Sequence, residues 1–226
     1  RVWGSKFLPI GPISYGEDGC IHLHYPNEDR CEKIFHLHRT KNITALASRG
    51  NEVITGGQNG LLRHLTLFDN EPEINKFSLY ELSNEVKSKS KHPLTPFSIA
   101  ILENNVIIVG TFGGSILSLP DKREIVTGND FDAWYLMDSY KNVAFGASRS
   151  HHHFVMRSIN EINIFTFPSN CSAVSLACNL QYFVAAYSDN KIRVYNFDGT
   201  LLIELSFTDY IKKAPIAISI HHHKPI

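Results

Sequence analysis

Asn42–Leu67 reads NITALASRGNEVITGGQNGLLRHLTL. Ile43, Ala45 and Ala47 alternate with Thr44, Leu46 and Ser48, which is the period of two that a strand requires. Arg49-Gly50-Asn51 breaks the pattern. Val53-Ile54-Thr55 then runs into Gly56-Gly57-Gln58-Asn59-Gly60, and Leu61–Leu65 returns. Asn-Gly between apolar strands signals a type I′ hairpin, whose two central residues both need φ > 0. The stretch predicts three antiparallel strands, with a tight turn between the second and third.

The unit recurs along the chain. Aligned on the turn after the second strand, the matching segments are Ser14–Gly19 (SYGEDG), Thr55–Gly60 (TGGQNG), Val109–Gly114 (VGTFGG), Phe145–Ser150 (FGASRS) and Ala185–Asn190 (AAYSDN). They begin at positions 14, 55, 109, 145 and 185, spaced by 41, 54, 36 and 40. The long interval contains the polar run Leu82–Lys91. Without about a dozen residues there, the period returns to roughly 40, the spacing of four-stranded propeller blades.

Each unit supplies four strands. The expected first strands are Val2–Leu8, Asn42–Ser48, Pro96–Leu102, Ala133–Met137 and Ser172–Cys178. The expectation is an all-β chain forming a single domain over 1–226, with blades at roughly 1–39, 40–82, 94–127, 131–168 and 170–206. An insertion loop falls at 83–93, and the start of a sixth blade at 213–226, where Ala214–Ile220 is its first strand. Five blades and a fraction leave a blade face and sheet edges open, so closure is expected to use residues outside this chain, or the ends to be protected otherwise. The chain opens inside an apolar segment at Arg1-Val2-Trp3 and stops just after another, which reads as a piece of a longer, multi-propeller protein.

Composition narrows the function classes. Apolar residues make up 43% and aromatics 11%, enough for a real core and too many for disorder over most of the chain. Lys+Arg and Asp+Glu balance at 22 each, so the bulk basic charge of a self-sufficient nucleic-acid binder is missing. Cys20, Cys31, Cys171 and Cys178 have no C-x-x-C spacing and read as reduced thiols of a cytoplasmic protein. No apolar run approaches the ~18 residues of a membrane helix, and no signal peptide is present; no membrane contact is expected. The sequons at Asn42 and Asn170 read as chance matches.

The turns resemble those of the WD-repeat family, whose blades run Ser/Thr-Gly-x-x-Asp-Gly-x-Ile-x-x-Trp-Asp. Asp18-Gly19-Cys20-Ile21-His22-Leu23-His24 matches with His24 in place of Trp, and Asn59–Leu65 matches with Leu65 there. Asp189–Asn196 comes nearest, with Tyr195-Asn196 for Trp-Asp. The resemblance implies a WD-repeat-type propeller, in which the turn side chain caps backbone N–H groups and the bulky residue packs on the blade face. Arg1-Val2-Trp3, Ser14–Gly19 and Lys41–Leu46 further resemble a blade of the large multi-propeller proteins that act as the non-catalytic subunit of a tRNA 2′-O-ribose methyltransferase. That narrower resemblance covers mainly residues 1–67. It implies a scaffold that binds the methyltransferase and helps position tRNA for methylation of the anticodon wobble ribose. It places no contact residues.

Side chains with chemical potential are few in type. There are 12 histidines. His22 and His24 share a strand face, as do His36 and His38, while His151–His153 and His221–His223 are runs. Imidazole is the commonest zinc ligand. Yet no pair comes with a Cys or carboxylate at ligand spacing in sequence, so loops and solvated strand faces are the expected setting and no metal or other cofactor is expected. No G-x-S-x-G or Ser/His/Asp grouping suggests nucleophilic catalysis, and the chain is not expected to be an enzyme. Gly110-Thr111-Phe112-Gly113-Gly114 lies between two strands and reads as a blade turn, since a phosphate loop needs a following helix.

The basic loop residues carry the candidate interaction site. In a propeller, the turns between second and third strands share a face with the connections between blades. That face would collect Arg39, Lys41, Lys87, Lys89, Lys91, Arg149, His151, Lys191, Lys212 and Lys213, alongside acidic Glu17, Asp18, Asp189 and Asp209. Lys and Arg on such a face suit RNA phosphates; an ordinary solvated face accounts for the same charges. Phe112 and Tyr210 are candidates for an aromatic partner contact, although Phe112 equally suits packing into the next blade. The function expected is a non-catalytic scaffold with a protein partner, the tRNA ribose methyltransferase by resemblance, and tRNA reached through that complex. The other reading is a protein–protein adaptor in trafficking or ubiquitin ligase assembly.

Overall fold

The computed structural model describes residues 1–25, 31–38, 42–67, 74–79, 94–119, 123–126, 133–158, 162–207 and 218. Among these described residues, twenty strands run in chain order. They are β1 (Val2–Leu8), β2 (Gly11–Gly16), β3 (Cys20–His24), β4 (Cys31–His36), β5 (Ile43–Arg49), β6 (Glu52–Gly57), β7 (Leu61–Thr66), β8 (Ile74–Ser78), β9 (Pro96–Ile101) and β10 (Ile107–Thr111). They continue with β11 (Ile116–Leu119), β12 (Arg123–Val126), β13 (Trp134–Tyr140), β14 (Val143–Ser148), β15 (His152–Ser158), β16 (Ile162–Pro168), β17 (Ala173–Cys178), β18 (Phe183–Tyr187), β19 (Lys191–Tyr195) and β20 (Leu201–Ser206). Consecutive strands pair antiparallel in fours, giving five four-stranded sheets in the order of the chain. The expected fivefold repeat of a four-stranded all-β unit is therefore present. The insertion at 83–93 lies outside the described residues, as does the sixth-blade strand apart from Ile218.

The sheets stack in sequence order. Inner strands β1, β5, β9, β13 and β17 lie side by side, each against the next. Leu8, Ile13, Ile21 and Leu23 of sheet one meet Ile43, Leu46, Val53 and Leu65 of sheet two. Ala45, Ala47 and Ile54 on the other face of sheet two meet Ile99, Ile101 and Val109 of sheet three. Ala100, Ile108 and Ile116 then meet Trp134, Ala144 and Phe154 of sheet four, whose Val143 and Phe145 meet Phe183, Ala185 and Tyr187 of sheet five. The middle sheets are thus buried on both faces. This is why Ile107-Ile108-Val109 and Val143-Ala144-Phe145 are unbroken apolar runs, with neighbouring residues feeding opposite cores.

Side chains stitch the inner strands together. The Thr44 hydroxyl donates to the Pro96 carbonyl, Ser98 Oγ to the Trp134 carbonyl at 2.9 Å, and the Tyr135 hydroxyl to the Ala173 carbonyl. The backbone N–H of Ile218 donates to Ser175 Oγ at 3.0 Å, so the stitching continues past sheet five. The Asp138 carboxyl of β13 is raised by burial, with the charge of Lys6 on β1 pulling it the other way.

Two local expectations are corrected. The Asn59-Gly60 hairpin is not type I′. β6 ends at Gly57 and β7 begins at Leu61, so three residues form the loop; Gly60 N donates to Gly57 O at 2.9 Å, and of Asn59 and Gly60 only Gly60 has positive φ, 75°. Three loop residues call for a type I turn followed by a left-handed residue, the geometry observed. The first strand of sheet four runs on past Met137 to Tyr140, because Tyr140 pairs with Val143 across a two-residue turn that holds Lys141 at φ 52°.

Close approach of neighbouring sheets fixes small residues on the second strands. A Cβ at Gly110 would lie 2.5 Å from Ser98 Oγ and 2.7 Å from Trp134 Cβ. Gly110→Ala is expected to cost about 1–3 kcal/mol through overpacking, read from urea unfolding. An unchanged midpoint would show that sheets three and four separate freely.

Candidate interaction face

One face of the molecule is built from hydrogen bonds that recur in all five sheets. The first residue of each turn between second and third strands donates its N–H to the carbonyl just before the inner strand of the same sheet. The pairs are Glu17–Arg1 (3.0 Å), Gln58–Asn42 (3.1 Å), Phe112–Thr95 (2.8 Å), Arg149–Ala133 (3.0 Å) and Ser188–Ser172 (3.0 Å). The turns and the approaches to the inner strands therefore share one face, as the sequence predicts. Each turn ends on a left-handed residue: Gly19, Gly60, Gly114, His151 and Asn190. An acidic or amide side chain caps as expected in three of them, where Asp18, Asn59 and Asp189 accept the N–H of Cys20, Leu61 and Lys191; in the other two the hydroxyls of Thr111 and Ser148 accept the N–H of Ser115 and His152.

The second residue of every inner strand is a β-bulge on this face. The bulged residues are Trp3, Thr44, Phe97, Tyr135 and Val174. A bulge re-aims its side chain and ends regular pairing. Three of these residues, Trp3, Thr44 and Phe97, join Asn42, Gln58, Thr95 and Phe112 around a cavity of about 380 Å³. Phe97 and Phe112 are tilted against each other with ring centroids 5.3 Å apart. Phe112 thus packs on the inner strand of its own sheet and stays 38% exposed. Trp3 is half exposed, with the Arg1 guanidinium 5.1 Å from its ring centroid. Three aromatic rings with amides and hydroxyls at the rim suit an apolar or cationic side chain offered by a partner. Tyr210 lies outside the described residues. Sequence reading singled out Phe112 but not Trp3, Thr44 or Phe97 as cavity residues, because a bulge leaves no mark in hydrophobic periodicity.

Of the ten basic candidates, Arg39, Lys41, Lys87, Lys89, Lys91, Lys212 and Lys213 lie outside the described residues. Arg149 and His151 stand together, exposed, in the turn of sheet four; the His151 ring lies 3.0 Å from Ser172 Oγ. Lys191 sits in β19 and donates to Glu204 at 2.5 Å. Arg193 bridges Asp189 at 2.6 Å and Glu204 at 2.7 Å. Lys191 and Arg193 are accordingly paired within sheet five.

The histidines divide by environment. His153 belongs to a run expected on loops or solvated strand faces, yet it is only 1% exposed. It shares a 2.6 Å hydrogen bond with the Tyr187 hydroxyl, which lies 3.0 Å from that of Tyr195. Burial lowers the His153 pKa to about 4. His38, 2% exposed and bonded to Thr55 Oγ1 at 3.0 Å, is lowered to about 4 by burial and then by Arg63. Both rings are neutral core groups. The expectation that no histidine pair comes with a Cys or carboxylate at ligand spacing is also corrected. One donor atom each from Asp18, Cys20 and His22 lie within 4.8 Å of one another, because the turn folds Asp18 back over the strand. Gly110–Gly114 joins β10 to β11, a strand-to-strand turn as expected. Among the described residues no helix is long and apolar enough to cross a membrane.

No family model matches the chain, and no curated protein matches it. Among solved structures the chain is similar to the crystal structure of the computationally designed Ika8 protein, at 15% identity and a TM-score of 0.70. The match covers 97% of this chain and 65% of the designed one, so this chain spans less than two thirds of its length. At that identity the likeness concerns the fold alone.

Proposed function

We propose that the chain is a β-propeller of WD-repeat type acting as a non-catalytic scaffold, and that it holds a protein partner over the face carrying the bulged inner strands. The observation that carries this reading is the cavity between Trp3, Phe97 and Phe112, set on turns that are hydrogen-bonded alike in five sheets. Rigid, partly exposed aromatics on a backbone-fixed face are the usual anchors of a protein interface. The stacking of five sheets in chain order supports blades arranged around an axis. The resemblance of residues 1–67 makes a tRNA 2′-O-ribose methyltransferase the partner to test first. In this reading the methyl donor and the chemistry belong to the partner, and tRNA reaches the scaffold through the complex in the cytoplasm. The apolar cavity favours a protein contact here, with Arg149 and His151 as the described groups facing RNA.

The expected outcome is capture of a small methyltransferase by the wild-type chain. Trp3→Ala/Phe112→Ala should weaken that capture by about 2 kcal/mol or more, roughly 30-fold, as hot-spot truncation does, with far-UV circular dichroism unchanged. Loss of the protein should remove 2′-O-methylation at the wobble ribose; a deletion strain that keeps the mark sinks the methyltransferase reading. Salt separates the adaptor reading, because binding through phosphates weakens steeply as salt rises, whereas binding of a peptide in an aromatic cavity does not.

A further inference from the structure

We propose that Asp18, Cys20, His22 and His36 form a binding site for a zinc-class divalent metal on sheet one. Three features of local folding bring them together. Alternation along β3 puts Cys20 and His22 on one face. Register pairs Cys20 with His36 of β4, leaving Cys20 Sγ 3.0 Å from His36 Nδ1. In the preceding turn, Asp18 Oδ1 accepts the N–H of Cys20 at 3.1 Å, which turns Oδ2 toward His22 Nε2 at 2.6 Å.

The backbone that carries the donors is tied down. Gly19 N donates to Gly16 O at 3.3 Å, and Leu37 N and His38 N both donate to Gly19 O, at 3.1 and 2.9 Å. Tetrahedral zinc, with N and O ligands at ~2.0–2.2 Å and sulfur at ~2.3 Å, holds its donors roughly 3.3–4 Å apart. The donor atoms of Asp18, Cys20 and His22 are within 4.8 Å of one another, so small side-chain rotations converge them; His36 Nδ1 lies 3.0 Å from the sulfur but outside that group of three, and takes the fourth corner only by a larger swing of its ring. One thiolate, two imidazoles and one carboxylate suit zinc or cobalt and not calcium or magnesium, which take oxygen. Cys20 is buried while the Asp18 side chain is half exposed, so the metal would enter past the carboxylate. On binding, the Cys20 thiol gives its proton to solvent and the sulfur lone pair bonds the metal.

Sheet five provides an internal contrast. Asp189, Lys191 and Arg193 occupy the positions of Asp18, Cys20 and His22, and Asp189 pairs with Arg193 at 2.6 Å, the distance between Asp18 and His22. The turn-to-strand contact is therefore a structural feature of the fold. Sheet one keeps its geometry but replaces the two cations by a thiol and an imidazole, and has His36 where sheet five has Ser206. Cation pairing has been exchanged for metal-ligand chemistry on the same backbone.

The test is a titration of the reduced, metal-free chain with Co²⁺. The expected result is a thiolate-to-cobalt charge-transfer band that saturates at one equivalent and is displaced by Zn²⁺. His22→Ala and Asp18→Ala alter more exposed side chains and should each weaken binding about tenfold or more, and Cys20→Ala should abolish the band. His151→Ala and Cys171→Ser should leave it intact, as controls at one residue of the internal histidine run and at one of the other thiols. Absence of the band in the wild-type chain overturns the proposal, as does a band unchanged in both His22→Ala and Asp18→Ala.

Discussion

Trp134→Ala is expected to lower the free energy of unfolding by about 3–5 kcal/mol, the usual cost of emptying a buried aromatic site. Trp134 opens β13 at the junction of sheets three and four and is only 3% exposed. Its ring meets Phe154 edge-on, with centroids 6.1 Å apart. Its indole N–H donates to Gly114 O at 2.6 Å, and its carbonyl accepts Ser98 Oγ at 2.9 Å. Alanine leaves a cavity and strips the buried Gly114 carbonyl of a donor. Trp134→Phe keeps most of the apolar area and should cost less, about 1–3 kcal/mol for the carbonyl left unsatisfied. Because each sheet packs on its sequence neighbours, a weakened junction should also let sheets one to three unfold apart from four and five, which broadens the urea transition. Equal midpoints for wild type and Trp134→Ala would refute this account of the junction.

Acid should destabilise the protein well above the carboxylate range. His38 and His153 have folded pKa values of about 4 against an ordinary 6.5, burial being the main cause for both. Above pH 6.5 both are neutral whether the chain is folded or not, and they contribute no pH dependence. As pH falls from 6.5 to 4, the unfolded chain binds two protons that the folded chain refuses, so stability falls. Below about 4 the folded rings charge as well and the loss levels off. At about 1.4 kcal/mol per pH unit for each proton, the loss is on the order of 3 kcal/mol per histidine. Asp138 acts the other way: its raised carboxyl takes a proton more readily in the folded state, which offsets part of the loss at the acid end. Urea midpoints measured between pH 7 and 4.5 should fall steadily in the wild type and much less in His38→Gln/His153→Gln. A flat wild-type profile would mean that both rings take up their protons in the folded protein as readily as in the unfolded chain.

The interaction face was legible only in outline. That turns and inner-strand approaches share one side follows from the blade pattern, and Phe112 was visible as an aromatic in a turn. Trp3 and Phe97 were not, since each reads as one more apolar residue in a strand until the register shift beside it is known. Asp18, Cys20 and His22 stand at even spacing in the sequence, but His36 joins them only through the pairing of β3 with β4.

What the sequence determined by itself is the repeat. The repeated strands and turns follow from alternation, apolar runs and Gly, Asn and Asp placement, because these act within a few residues of chain; β1 begins and ends where the pattern does, at Val2 and Leu8. What the tertiary structure decided is what each position faces. His153 and His152 are neighbours in one run, yet His153 is buried against Tyr187 while His152 is exposed. Asp138 stands in a strand among polar neighbours, yet its carboxylate accepts the N–H of Cys178 in sheet five, 40 positions away. Burial, bulge register and cross-strand pairing depend on residues about 15 to 40 positions away, and no local pattern encodes them.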